Sequence, residues 1–119
     1  MKRLTRFLWV VPLLWLTGSN AVFAEVRLVE AVKAADQAAI RTLLTERVDV
    51  NTPEADGTTA LHWAADGDNP ELVELLIRAG ADVNQADFTG RTPLAAAERS
   101  NSPSRRAVME ALTRAGGRR

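Results

Sequence analysis

Apolar residues recur along the chain at helical spacing, in short runs that are separated by polar segments rich in Gly and Asp. The clearest run lies between Asn69 and Gly80. Asn69 and Pro70 are typical of a helix start, because a proline in the first turn loses no helical hydrogen bond. Gly80 predicts the helix end, since glycine adopts a left-handed conformation without steric cost. The predicted buried side of this helix comprises Leu72, Val73, Leu75, Leu76 and Ile77.

The same pattern returns at a spacing of 33 residues, which indicates a repeat protein. The matching positions are Leu28, Leu61 and Leu94; Ala31, Ala64 and Ala97; Asp49-Val50-Asn51 and Asp82-Val83-Asn84; and Gly57 and Gly90. Units of this size cannot bury their apolar faces alone, so neighbouring units must bury them together. Such a stack presents an extended surface and seldom a deep cleft. The pattern therefore predicts binding more firmly than it identifies a partner.

The middle copy reads Thr59-Ala60-Leu61-His62-Trp63-Ala64, and the third copy has Thr92-Pro93-Leu94 at the same place. Both resemble the T-P-L-H-x-A helix opening of the ankyrin repeat, a turn followed by two antiparallel helices. The resemblance covers about residues 26 to 117. It implies an all-α fold, a short ankyrin-repeat solenoid of about three helix–turn–helix units with connecting β-turn loops. It also implies a non-catalytic protein–protein interaction module.

The resemblance assigns one unit to each copy. Repeat one is expected at about residues 26–55, repeat two at about 56–87 and repeat three at about 88–117, within a domain of residues 25–119. In the family, the histidine that matches His62 bonds within and between the turns that join repeats, so a structural role is implied for it. The repeat signature comprises Thr59, Leu61, His62, Ala64, Gly80, Thr92, Pro93 and Leu94.

The two terminal units depart from the middle one. Repeat one has Arg47 where repeat two has Gly80, and Asp36 is the expected cap of its second helix. In repeat three the register shifts by three residues near 100–105, where the Asn-Ser-Pro sequence at 101–103 favours a wider loop over a longer helix. An arginine-rich end favours a complete small protein, with the front part of a longer array as the alternative.

Residues 1–24 have the features of a secretory signal peptide. Three basic residues precede an apolar stretch of about ten residues, and the segment ends at Ala24 before Glu25. A membrane-spanning helix needs roughly 20 apolar residues, and Pro12 interrupts this stretch, so a retained anchor is the less favoured alternative. We expect Sec-type export in a bacterium, cleavage after about Ala24, a periplasmic or secreted location and no membrane span after cleavage.

Charge is balanced over the whole chain but uneven along it. The chain has 15 basic and 15 acidic residues, and loss of the leader with its three basic residues leaves a net charge of −3. Residues 25–87 carry a net charge of −8, and residues 88–119 carry +5. Self-association through these ends, and contact of the basic end with an acidic protein or anionic lipid headgroups, are alternatives to simple solvation. Nucleic acid is not an expected partner, because aromatic residues do not interleave with the basic ones.

Groups for catalysis, metal binding or cofactor binding are sparse. His62 is the single histidine, cysteine is absent, and the serines after the leader lie together at 100–104. A metal site needs several converging ligands, and a serine nucleophile needs an adjacent base. The sequence shows neither arrangement and no Gly-rich phosphate loop. It therefore predicts no catalytic, metal or cofactor-binding residues.

We expect an unknown protein partner to contact the turns and the inner helices. Exposed aromatic residues carry much of the binding energy at such surfaces. The structural alternatives are that Trp63 packs between first helices, that Phe88 is an incidental aromatic at a turn tip, and that the charged residues are solvated. A structural or auxiliary subunit and a stress-related periplasmic accessory protein are the alternative functions. The candidate partner-binding residues are Trp63, Asp66, Phe88, Arg91 and Arg99, with Lys33 and Asp56 completing the surface.

Overall fold

The computed structural model describes residues 24–119, which contain six helices and no strand. The leader predicted over residues 1–24 lies outside this part except for Ala24, which is buried in the first helix. The all-α fold is therefore confirmed for the described residues. The helices are α1 at 24–33, α2 at Gln37–Thr45, α3 at Ala60–Asp66, α4 at Pro70–Arg78, α5 at Pro93–Glu98 and α6 at Arg105–Arg114.

The helices form three consecutive pairs, and the pairs stack on one another. Helix α3 contacts its own partner α4 and also α5 of the next unit, while α6 contacts both α5 and α4. The first helices α3 and α5 bury mainly alanine, which lets their backbones approach closely. The second helices supply larger side chains, each worth roughly 1.5–3 kcal/mol when fully buried. The central buried residues are Leu61, Ala64, Ala65, Leu72, Val73, Leu76, Leu94, Ala96, Ala97, Val108 and Leu112.

Short polar side chains cap α2 and α4 at the residues that the sequence predicts. The Asn69 side chain accepts a hydrogen bond from the backbone N–H of Leu72 at 3.2 Å. Asp36 caps α2 by accepting from Ala39 N–H at 3.1 Å. Such caps satisfy backbone N–H groups that have no partner within the helix, and each typically contributes about 1 kcal/mol. The local sequence therefore sets the helix starts.

Left-handed residues end the second helix of each unit. Gly80 has φ +98°, and the equivalent Gly116 has φ +93°. In repeat one the same place is taken by Arg47, with φ +57°. A residue with a Cβ costs roughly 1–2 kcal/mol in this conformation. The terminal unit thus keeps the backbone of the repeat at the expense of some local strain.

Consecutive units are also joined by an asparagine at the same repeat position. The Asn51 side chain donates to the Gly80 carbonyl at 3.0 Å and accepts from Asp82 N–H at 2.6 Å. Asn84, 33 residues later, donates in the same way to the Gly116 carbonyl at 3.0 Å. These carbonyls lie just beyond the C-terminal ends of α4 and α6, outside the helical hydrogen-bond pattern. The recurring Asp-Val-Asn segment therefore fastens each unit to the next.

The extra residues of repeat three widen the loop between α5 and α6, which confirms the loop interpretation of the register shift. Three residues separate α3 from α4, whereas residues 99–104 separate α5 from α6. The Ser100 hydroxyl donates to the Asp68 carboxylate of the preceding unit. Ser102 N–H donates to the Ser100 hydroxyl at 3.0 Å, and Ser104 N–H donates to the Ser102 hydroxyl at 3.1 Å. The serines therefore order the loop.

Candidate functional site

Two turns precede the first helices of repeats two and three, and they form one edge of the candidate site. We call residues 54–59 the first turn and residues 87–92 the second turn. A backbone hydrogen bond closes each turn, from Glu54 N–H to the Thr58 carbonyl at 2.8 Å in the first and from Asp87 N–H to the Arg91 carbonyl at 2.9 Å in the second. The two turns therefore share one backbone arrangement, which fixes where their side chains project.

A backbone hydrogen bond joins the turns to each other. Phe88 N–H donates to the Asp56 carbonyl at 3.0 Å. The close approach depends on Gly57, which has φ +84°. A Cβ at this residue would lie 2.8 Å from both Phe88 N and Phe88 Cδ1. The sequence identifies Gly57 only as the repeat match of Gly90, and the structure adds that the close approach of Phe88 requires a glycine at this position.

The second turn is held by a buried carboxylate. Asp87 Oδ1 accepts from Thr89 N–H at 2.9 Å, from the Thr89 hydroxyl at 2.6 Å and from Arg91 N–H at 3.0 Å, and Oδ2 accepts from Arg91 Nε at 3.1 Å. The Thr89 hydroxyl first, and then the Arg91 amide, hold the pKa of Asp87 well below its ordinary value. The guanidinium of Arg91 is therefore paired with a carboxylate of its own turn.

His62 joins α3 to the second turn. It is 1% exposed. Its Nδ1 accepts from Thr59 N–H at 3.1 Å, and its Nε2 lies 2.8 Å from the Arg91 carbonyl. The acceptor role of Nδ1 assigns the proton to Nε2, which then donates to Arg91. Burial and two structural bonds leave His62 without a free nitrogen for acid–base chemistry.

Trp63 lies beside His62 but is partly exposed, so it does not pack entirely between the first helices. Its indole N–H donates to Glu54 Oε2 at 2.6 Å, and Lys33 Nζ lies 4.7 Å from the ring centroid. Lys33 Nζ also contacts Glu54 Oε1 at 2.7 Å and Glu30 Oε1 at 3.3 Å. The hydrogen bond to Glu54 is the main reason that the pKa of Lys33 is raised. The indole is therefore held in one position from two directions.

Sequence reasoning missed Glu54 in this arrangement. The residue lies nine positions before Trp63 and 21 after Lys33, so no helical or turn spacing connects the three. The only available indication was its place in the repeat, because Glu54 matches Asp87 at the 33-residue spacing. Its function in holding Trp63 depends on side-chain length rather than on repeat position.

Two depressions adjoin Trp63 and Asp66. The smaller has a volume of about 210 Å³ and is lined also by Asp56, Thr58, His62 and Arg91. The larger has a volume of about 380 Å³ and includes Lys33 and residues of α1 and α4. We call the surface made by Lys33, Glu54, Asp56, Trp63, Asp66 and Arg91 the Trp63 surface.

The structure brings together three of the five predicted partner-binding residues. Trp63, Asp66 and Arg91 line the smaller depression. Phe88 lies outside it at the tip of the second turn, where 79% of the residue is exposed. Arg99 follows α5 and is exposed. The candidates therefore form one cluster and two outlying positions.

The described residues show neither a membrane-crossing helix nor a metal cluster. Within residues 24–119, no helix combines the length and apolar character needed to cross a bilayer. The same residues contain no group of three or more His, Cys, Asp or Glu side chains placed to hold a metal ion.

Known proteins that are similar to this chain are longer than the segment that they share with it. The potassium channel AKT1 of Arabidopsis thaliana is 46% identical over 72 residues, which cover 57% of this chain and 8% of that protein. The RelA-associated inhibitor of Mus musculus is 36% identical over 91 residues, covering 76% of this chain and 11% of the relative. Protein phosphatase 1 regulatory subunit 27 of Mus musculus is 43% identical over 54 residues, which cover 45% of this chain and 35% of that protein. The chain thus spans about a third or less of the length of these relatives.

A family model described as Ankyrin repeats (3 copies) matches residues 28–116. The match covers α2 to α6, most of α1 and the asparagines that join the units. Such repeats are protein–protein interaction modules, and the family is typically non-catalytic. The three stacked units and this match show that the chain belongs to the ankyrin-repeat family.

Proposed function

We propose that the chain is an exported, non-catalytic ankyrin-repeat module that binds another protein through the Trp63 surface and the tips of its turns. The observation that carries the proposal is the position of Trp63, which is fixed by Glu54 and Lys33 yet remains partly exposed. A side chain that is already ordered loses little conformational entropy when a partner binds. Tryptophan is also among the residues that most often dominate the energy of an interface.

Phe88 supports the same proposal from the turn tip. Its exposed ring is attached to a backbone that is itself anchored to the first turn through the Asp56 carbonyl. An exposed aromatic on a fixed backbone offers apolar contact area beside the Trp63 surface. Together the two aromatics define a face on which one partner segment can contact both.

Export is proposed from the leader. The basic start, the apolar stretch and the small residue at position 24 support cleavage before Glu25 and a periplasmic or secreted location. Cell fractionation with N-terminal sequencing tests this part separately. A processed chain that starts near Glu25 outside the cytoplasm is expected, and an unprocessed cytoplasmic chain would contradict export without touching the binding proposal.

The binding proposal is tested by site-specific photocrosslinking in the cells that make the protein. A photoreactive residue at position 88 is expected to capture a discrete protein, identified by mass spectrometry, and Trp63→Ala is expected to abolish that capture. The control places the same group at Thr45, an exposed residue at the end of α2. Equal capture from both positions, or none from position 88, would overturn the proposal.

Self-association is the second candidate function, favoured by the opposite charges of the two ends. The net charge is −8 over residues 25–87 and +5 over residues 88–119. An open groove along α6 is lined by three basic residues and one acidic residue, together with Met109 and Thr113; the charged residues are Arg105, Arg106, Glu110 and Arg114. Sedimentation of the purified protein tests this candidate, because attraction between exposed charges weakens with salt. Association at low salt and dissociation at high salt are expected, and a strict monomer at low salt would exclude it.

A further inference from the structure

The smaller depression of the Trp63 surface has an unusual balance of charges. Its two carboxylates, Asp56 and Asp66, are both exposed. Asp56 accepts a bond from Thr58 N–H at 2.9 Å, and that bond lowers the pKa of the carboxyl group. Neither carboxylate lies within 4.0 Å of a basic group among the described residues. Both negative charges therefore face solvent within one depression.

The basic groups around the depression are already matched. Lys33 is paired with Glu54 at 2.7 Å, and Arg91 is paired with Asp87 at 3.1 Å. Arg99, which occupies the same repeat position as Asp66 one unit later, does not line the depression. The uncompensated charge of the depression is therefore negative.

Trp63 contributes the third element. Its ring already holds the Lys33 ammonium group at 4.7 Å from the centroid, which shows that the ring geometry suits a cation. Trp63 lines both the depression that includes Lys33 and the one that includes Asp56. The cavity of about 210 Å³ is smaller than the 300–1,000 Å³ typical of a small-molecule site, so it suits the end of one side chain.

From these three features we infer that the depression receives an arginine or lysine side chain of the partner protein, between Asp56 and Asp66 and against Trp63. The inference rests on the proposed function and specifies its chemistry. The carboxylates accept the charged hydrogen bonds, which are stronger than neutral ones. The indole covers the carbon stem of the side chain. The acidic surroundings of residues 25–87 guide a basic segment to this face.

The test is selection from a random peptide library, with protein produced from its complete gene. The selected peptides are expected to share an arginine or lysine at one position. Replacing that residue by glutamine in a selected peptide is expected to weaken binding roughly tenfold or more. The double variant Asp56→Asn/Asp66→Asn is expected to weaken binding similarly, because asparagine preserves shape and the bond to Thr58 while removing charge.

A matched control removes two exposed carboxylates elsewhere. Glu46→Gln/Glu110→Gln changes the net charge by the same amount on surfaces outside the depression. This variant is expected to bind the selected peptides as the wild type does. An equal loss of peptide affinity in both double variants would mean that only the overall charge matters, and it would overturn the inference.

The remaining outcomes separate this inference from the proposed function. Peptides whose binding requires Trp63 but that share no basic residue would contradict the inference. The proposed function as an interaction module would be unaffected. A library that yields no peptide dependent on Trp63 would count against both. Circular dichroism of each variant establishes that the fold is retained in every comparison.

Discussion

The first and second turns occupy equivalent places in consecutive repeats, yet their acidic side chains have different partners. Glu54 and Asp87 are 33 residues apart and each donates its backbone N–H across its own turn. The Asp87 carboxylate folds back and closes the turn through Thr89 and Arg91. The Glu54 carboxylate reaches outward and holds Trp63 and Lys33 instead.

The difference shows that the same repeat position closes its own turn at Asp87 and, one repeat earlier, supports the proposed binding surface at Glu54. The longer glutamate extends beyond the turn, whereas the shorter aspartate stays within reach of the turn's own N–H groups. The first helices differ in parallel, because Trp63 in repeat two corresponds to the fully buried Ala96 in repeat three. The partly exposed ring and the carboxylate that fixes it thus occur together at the first turn and α3, and the second turn and α5 have no such pair.

The largest expected effect is a loss of stability, and it should differ between the glycines of the two turns. Gly57→Ala should lower the free energy of unfolding by roughly 2–4 kcal/mol, because a left-handed alanine is added to a clash with the Phe88 backbone. Gly90→Ala is the matched control, since its φ of +83° is nearly the same and its added Cβ would meet nothing within 4 Å. It should cost only about 1–2 kcal/mol. Urea unfolding followed by circular dichroism measures both, and equal losses would mean that the turns are not in close contact.

The next effect tests the link between α3 and the second turn. His62→Ala should destabilise the protein by about 1–3 kcal/mol, because the Thr59 N–H and the Arg91 carbonyl lose a buried partner. Asp66→Ala on the same helix is the control and should have little effect, since that side chain is exposed. A loss of stability no larger than that of the control would show that His62 does not join the units.

The Asp87 carboxylate of the second turn should make the free energy of unfolding depend on pH in the acidic range. Because the pKa of Asp87 is lowered in the folded state, its contribution is complete above the ordinary carboxyl pKa of about 3.9 and is lost as the pH falls below it. Asp87→Asn should lower stability at neutral pH and flatten the decline between pH 5 and pH 3. Urea unfolding across this range checks the prediction. A variant whose decline runs parallel to that of the wild type would contradict it.

The smallest expected effect concerns the first turn. Glu54→Gln should leave stability close to the wild-type value, because the pair with Lys33 is partly exposed and such pairs contribute little. The nitrogen-15 spectrum should nevertheless show a shifted Trp63 indole resonance, since the acceptor loses its charge. A large loss of stability would indicate that Glu54 holds its turn as Asp87 does, and the comparison between the turns would fail.

The fold was predictable because its determinants are local and repeated. Asn69 and Asp36 cap the helices at which the sequence places them, and the breakers at 101–103 produce the wider loop. Each of these features depends on residues within one turn of the chain. The 33-residue spacing then orders the units, because the same faces recur in each.

The candidate site was less predictable because it depends on contacts between units. The repeat positions predict Trp63, Asp66 and Arg91 as candidates. The ion pair between Arg91 and Asp87 could not be predicted from the sequence. Glu54 was missed because its contact with Trp63 follows from the length of one side chain. The contacts of residues that depart from the repeat therefore have to be found in the three-dimensional structure, because the repeat pattern does not predict them.

The most direct test of the central claim is the affinity of the crosslinked partner for the Trp63→Ala variant. If the partner binds the Trp63 surface, affinity should fall by about thirtyfold or more, the loss typical of a dominant interface residue. Thr113→Ala, an exposed substitution on α6, should leave affinity unchanged. Wild-type affinity for a correctly folded Trp63→Ala protein would contradict the account.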